Sequence, residues 1–175
     1  MALEMRAHAL GPESATLTVH TGRTGAAAKA GHNLRIEVTS WEATLELGEN
    51  PSLTLTADTR SLRVREGAGG MQSLGDDDKA NIDKTIDDEV LKGTTVAFRS
   101  SSVEIDGPDL RVQGELELAG QRRPLAFDLK LDDDRLTGRA VVKQTDWGMK
   151  PYSTLFGTLK VADEIEVVVD GTLTG

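Results

Sequence analysis

Three histidines are the side chains of this 175-residue chain best suited to moving protons near neutral pH, and His8, His20 and His32 all fall in its first fifth. Nucleophilic catalysis would pair such a base with an activated Ser, Thr or Cys. The chain has no cysteine, and no G-x-S-x-G turn presents a serine to any of the three. His32 follows Gly31 at the entrance of an alternating run, where a ring hydrogen-bonded at a strand end is the expected role. An enzyme using His32 with a nearby carboxylate is the weaker alternative, because no partner is positioned for it. Metal chemistry is equally short of ligands, with neither H-E-x-x-H nor paired C-x-x-C spacing. The triplets Asp76-Asp77-Asp78 and Asp132-Asp133-Asp134 lack the D-x-[DN]-x-[DN]-G spacing that wraps calcium, and they read as a helix cap and a hairpin tip. Gly67-Ala68-Gly69-Gly70 is no phosphate cradle, since no GxxxxGK[ST] accompanies it. No catalytic residues and no metal site are expected.

Charge narrows the partners further. Twenty basic residues face 29 acidic ones, a formal net charge of −9. That sign disfavours nucleic acid and anionic membrane surfaces, which need clustered Lys and Arg. Aromatic residues make up only 3% of the chain, too few for a base-stacking platform. No run approaches the roughly 18 apolar residues of a membrane span, and the start MALEMRAHALGPES has no apolar signal-like core. Absent cysteine fits a reducing compartment, so a cytoplasmic location is expected.

The elements that must position any site follow a two-residue beat. In Leu110-Val112-Gly114-Leu116-Leu118 the intervening residues are Arg111, Gln113, Glu115 and Glu117. Comparable runs are Leu125-Phe127-Leu129-Leu131, Leu136-Gly138-Ala140-Val142 and Ile165-Val167-Val169-Gly171-Leu173. Successive strand side chains point to opposite faces, so each run has one apolar and one wet face. A series of such strands needs a shared interior.

Residues 1–13 show no clear pattern before Gly11-Pro12 and are expected to be a flexible lead-in to one domain over 14–175. The beat breaks after a Gly-rich stretch, where Ile82, Ile86 and Val90 recur at helix-face spacing. Asp76 to Asp78 favour a helix N-terminus and Lys92-Gly93 a C-terminus, which predicts one helix at about 76–92. Eight to ten short strands with a single helix argue for an all-β antiparallel barrel or sandwich.

Three segments, in order, resemble the YceI-like proteins. VQGELELAGQRRPLAFDL at 112–129 is similar to that family's V-x-G-x-L strand pair. KQTDWGMKPYS at 143–153 resembles its N-R-x-D-F-G stretch, with Gln144 where the family usually has Arg. DDEVLKGTTVAFRSSSVE at 87–104 looks like its helix end and following strand, and Gly31-His32 sits where the family often has a His. The resemblance implies an extended antiparallel lipocalin-like β-barrel of about eight strands. It implies no cofactor beyond a lumen-bound isoprenoid or acyl lipid, and the associated ligands are polyisoprenoids, isoprenoid quinones and fatty acid derivatives. A homodimer is also implied. The alternative is a filled barrel that serves as an interaction module through a strand edge or dimer face.

Inward positions expected to meet such a ligand are Leu34, Ile36 and Val38, then Val96 and Phe98. The later strands add Leu116, Phe127, Leu129, Ala140 and Val142, and the aromatic-rich segment adds Trp147, Met149 and Phe156. Gly114, Gly138, Ala140 and Gly171 are small inward residues that either leave volume for a ligand or are filled from across the barrel by Phe98, Phe127 and Leu116. Trp147, Met149, Tyr152, Leu155 and Phe156 form either a plug closing one end or an adaptable apolar mouth. The helix is expected to cap the same opening with Ile82, Ile86 and Val90.

Overall fold

The alternating runs pair into one curled antiparallel sheet. The computed structural model describes residues 7–24, 33–68, 75–86, 93–151, 153–154 and 159–173. The first strands are β1 (Ala7–Leu10), β2 (Ala15–His20), β3 (Arg23–Thr24) and β4 (Asn33–Val38). Next come β5 (Trp41–Glu46), β6 (Ser52–Ala57) and β7 (Leu62–Ala68), then the helix α1 (Asp76–Thr85). The long strands follow: β8 (Val96–Asp106), β9 (Asp109–Leu118), β10 (Gln121–Asp132) and β11 (Arg135–Lys143). Two short strands, β12 (Ser153–Thr154) and β13 (Leu159–Val161), precede β14 (Glu164–Thr172). Eleven of these form a sheet in the order β1-β5-β6-β8-β9-β10-β11-β14-β2-β4-β7, while β12-β13-β3 form a small second sheet. The large sheet curls into a half-barrel of the lipocalin-like kind.

Strand number exceeds the expected eight, and one reason lies at the N-terminus. Residues 7–10, expected to belong to a loose lead-in, form β1 in register with β5, Ala7 opposite Glu46 and Leu10 opposite Ala43. His8 and Leu10 are buried there. Four residues are too short a run for the two-residue period to register, so only pairing with β5 reveals the strand.

α1 begins where Asp78 accepts a hydrogen bond from the Gly75 N–H at 3.0 Å, with Asp76, Asp77 and Asp78 in the first turn. The expected helix over 76–92 is described to Ile86, and residues 87–92, with Val90, lie outside the described residues. α1 packs on β7, none of its residues is fully buried, and Ile86 just after it packs against the core. Asp83 accepts the Val64 N–H at 2.8 Å. β7 is an edge of the large sheet, so this bond satisfies a donor that the ladder leaves open. No helix among the described residues is long and apolar enough to cross a membrane.

Candidate functional site: an apolar lumen

Inside the half-barrel lies a cavity of about 200 Å³. Its floor and one wall come from β5, β6 and β8, through Trp41, Ala43, Leu55, Ala57, Val96 and Phe98. The opposite wall comes from β10, β11 and β14, through Leu125, Phe127, Ala140, Val142, Ile165 and Val167. Each strand supplies alternate residues, as the pleat requires. Val19 faces Val167 across β2 and β14, and Val167 faces Ala140 across β14 and β11. Thr59 and Arg139 are the polar exceptions among the described residues of the wall. Arg139 is on the outer pleat, where its guanidinium lies 3.5 Å from Glu166.

Among the residues expected to meet a ligand, Val38, Val96, Phe98, Leu116 and Phe127 border the cavity, as do Leu129, Ala140 and Val142. Leu34 and Ile36 do not border it. Ile36 is buried against its cross-strand neighbours Val64 and Val19, so β4 contributes Val38 alone. Trp147 packs behind the wall rather than on it: it is buried, and its indole N–H donates to the Leu116 carbonyl at 2.8 Å. Met149 is half-buried against the core. Phe156, Tyr152 and Leu155 lie outside the described residues.

The Trp147 turn is braced by hydrogen bonds on both sides. Residues 144–147 form a 3-10 turn that ends at Gly148, whose φ of 71° is the left-handed conformation glycine adopts without strain. The Thr145 N–H and hydroxyl donate to Asp163 at 2.8 and 2.6 Å. These bonds hold the Asp163 carboxyl below the usual carboxylate range. Gln144, standing where the resemblance expects Arg, is buried and donates through Nε2 to the Ala162 carbonyl at 3.1 Å. A neutral amide satisfies a buried carbonyl without bringing in a charge.

Of the small inward residues, Gly138 and Ala140 border the lumen and Gly114 and Gly171 do not. A Cβ on Gly114 would meet the Arg99 carbonyl and lie 2.7 Å from Phe98 Cζ. Gly114 faces a bulge in β8, where Ser101 is inserted between the paired Ser100 and Ser102. A Cβ on Gly138 would collide with Leu129, and one on Gly171 with Ala15. Each glycine therefore lets a neighbour approach closely, and of the four small residues only Ala140 stands as a side chain on the cavity wall. Phe98 and Phe127 pack as a tilted pair, ring centroids 5.2 Å apart, so they do fill part of the interior.

Sequence reasoning missed Trp41, Leu17, Leu55 and Val167 as wall residues, although the alternation Trp41-Ala43-Leu45 carried the signal for the first. No group of three or more His, Cys, Asp or Glu among the described residues could hold a metal ion. His20 Nε2 sits 3.2 Å from the Thr18 hydroxyl, and His32 lies outside the described residues.

Comparison with known proteins agrees with this geometry. The structure matches BcnA of Burkholderia cenocepacia with a TM-score of 0.64 at 13% identity, covering 89% of this chain and 94% of that one. It matches the YCEI protein of Campylobacter jejuni with a TM-score of 0.58 at 12% identity, covering 80% and 84%. At such identities the likeness concerns the fold. No curated protein matches the chain. The YceI-like domain matches residues 11–173, nearly the full chain, and on that match the protein belongs to the YceI-like domain family.

Proposed function

We propose that the protein binds a long-chain amphiphile, a polyisoprenoid, an isoprenoid quinone or a fatty acid derivative, by taking its apolar chain into the lumen. Sequestration or transfer, rather than catalysis, is the corresponding action. The observation that carries this reading is the cavity itself: about 200 Å³ walled almost wholly by aliphatic and aromatic side chains. A barrel that served only as a scaffold would have no reason to leave that volume unpacked, since interiors normally fill to crystal-like density.

Size sets how such a ligand sits. An apolar cavity of about 150 Å³ accommodates benzene, so on that scale this lumen holds on the order of eight carbons. Eight buried methylenes contribute about 6 kcal/mol. Micromolar affinity needs about 8 kcal/mol, so a long chain must either widen the lumen or continue beyond it over apolar wall.

Mass spectrometry of organic extracts from natively purified protein is the test. A co-purifying isoprenoid or acyl lipid at near-stoichiometric level is the expected result. Protein that is empty and also takes up neither added quinone nor added fatty acid would sink the proposal in favour of the filled scaffold.

A further inference from the structure

The cavity wall holds one buried polar atom with no partner. Trp41 opens β5 opposite Ala57 of β6, and both border the lumen. Its side chain is 6% exposed, and its indole Nε1 has no hydrogen-bond acceptor among the described residues. An indole N–H only donates, so nothing but an acceptor satisfies it. Leaving a buried donor unpaired costs more than a made hydrogen bond returns, and such groups in folded proteins call for an explanation.

Looseness of this corner does not supply one. The Thr39 hydroxyl donates to the Ser61 carbonyl at 2.6 Å, and the Ser40 N–H donates to Ser61 Oγ at 3.0 Å. The Asp58 N–H donates to the Ser40 carbonyl at 3.0 Å. Thr59, 4% exposed, is the second polar residue on the wall at this end. Backbone and hydroxyls around Trp41 are thus bonded while its own N–H is left over.

We infer that Trp41 is the polar anchor of the lumen, donating its indole N–H to a neutral carbonyl oxygen on the bound amphiphile. This rests on the lumen being a binding site, and it adds the chemical class and orientation of what binds. The acceptor must be uncharged. Arg139 is the one charged residue on the described wall, and its guanidinium is turned outward to Glu166. A carboxylate or phosphate drawn inward would lose its hydration with a single N–H in return. The carbonyl of a quinone, an ester or an amide loses far less. Ligands with an ionised head therefore keep that head outside, and ligands with a neutral carbonyl bury it.

Three probes of one chain length test this on the whole protein: 2-undecanone, undecane and undecanoate, each titrated against the native chain, Trp41→Phe, and a chain carrying β-(3-benzothienyl)alanine at 41. The benzothienyl ring keeps the shape of indole and replaces its N–H with sulfur. The native chain is expected to bind the ketone about five- to tenfold more tightly than the alkane, the scale of one hydrogen bond made by a previously unpaired donor. That preference disappears in both variants, while alkane affinity in the benzothienyl chain is unchanged. Ligand-free benzothienyl protein melts no lower than native, because no bond is lost. Methyl decanoate and a decyl-benzoquinone run in parallel separate an ester from a quinone as the carbonyl bearer, the one with the stronger Trp41 dependence being the fit. Alkane binding without a ketone preference, a preference that survives loss of the N–H, or a destabilised ligand-free benzothienyl protein overturns the anchor and leaves the container standing. Failure of all the probes, undecane included, overturns both.

Discussion

Two sets of inward residues in the same half-barrel use the same alternation to opposite effect. In one set, Leu45, Leu110 and Val112 are 0%, 1% and 0% exposed, and they lie outside the cavity wall. Their register partners are Leu53 and His8 for Leu45, Val103 and Phe127 for Val112, and Ile105 and Leu129 for Leu110. Along the lumen, Val19, Leu125, Phe127, Ala140, Ile165 and Val167 are only half-buried, although they too face inward. The residue types do not differ. What differs is whether neighbouring side chains cover the inward face completely or leave the cavity beside it. Apolar alternation therefore establishes an inside without establishing that the inside is full.

Truncation on the two sides breaks this comparison most directly. Leu110→Ala in the fully buried set is expected to cost about 3–5 kcal/mol in urea unfolding, because it opens a new cavity where none exists. Val167→Ala on the lumen wall is expected to cost about 1 kcal/mol or less, because it enlarges a void that already exists and removes half-buried atoms. Equal losses at the two positions would show that the lumen is as well packed as the surroundings of Leu110.

A smaller effect sharpens the role of the glycines. Gly114→Ala is expected to destabilise by about 1–3 kcal/mol, since its methyl meets the Arg99 carbonyl and the Phe98 ring. Were Gly114 a pocket for ligand instead, the substitution would leave stability unchanged and weaken uptake.

The smallest effect concerns the Trp147 turn. Thr145 holds the Asp163 carboxyl below its ordinary value, so the folded pKa lies under the unfolded value of about 3.9. The stabilisation is therefore complete above that unfolded value and is lost as pH falls through the folded one. Asp163→Asn is expected to lower neutral-pH stability slightly and leave low-pH stability unchanged, which flattens the acid limb of the stability profile, with Trp147 fluorescence reporting the turn. An acid limb identical to native would remove Asp163 from the latch.

Much of the fold is legible in the residues. The runs from Leu110, Leu125, Leu136 and Ile165 all became strands paired in sequence-like order, and α1 starts at the expected Asp76. The site was legible only in part. Trp147 looked like a ligand contact because it is aromatic and near Met149, yet its N–H is committed to Leu116. The glycines looked like room because they lack side chains, yet the neighbours Phe98, Leu129 and Ala15 occupy that space. Neither fact has a sequence signal, since both depend on residues 9 to 156 positions away in the chain.

By itself, then, the sequence determined which residues turn inward, because the pleat alternates side chains whatever the partner strands do. It also determined that the interior carries almost no charge, because the charged residues fall on the other phase of the beat. The tertiary structure alone decided which inward faces are fully buried and which border the cavity, which glycines are crowded by a neighbour, that α1 packs on the β7 edge, and that Trp41 keeps an unpaired donor at the lumen among the described residues. Those outcomes follow from sheet curvature and cross-barrel distance, which depend on the pairing of all the strands together and are encoded in no single run.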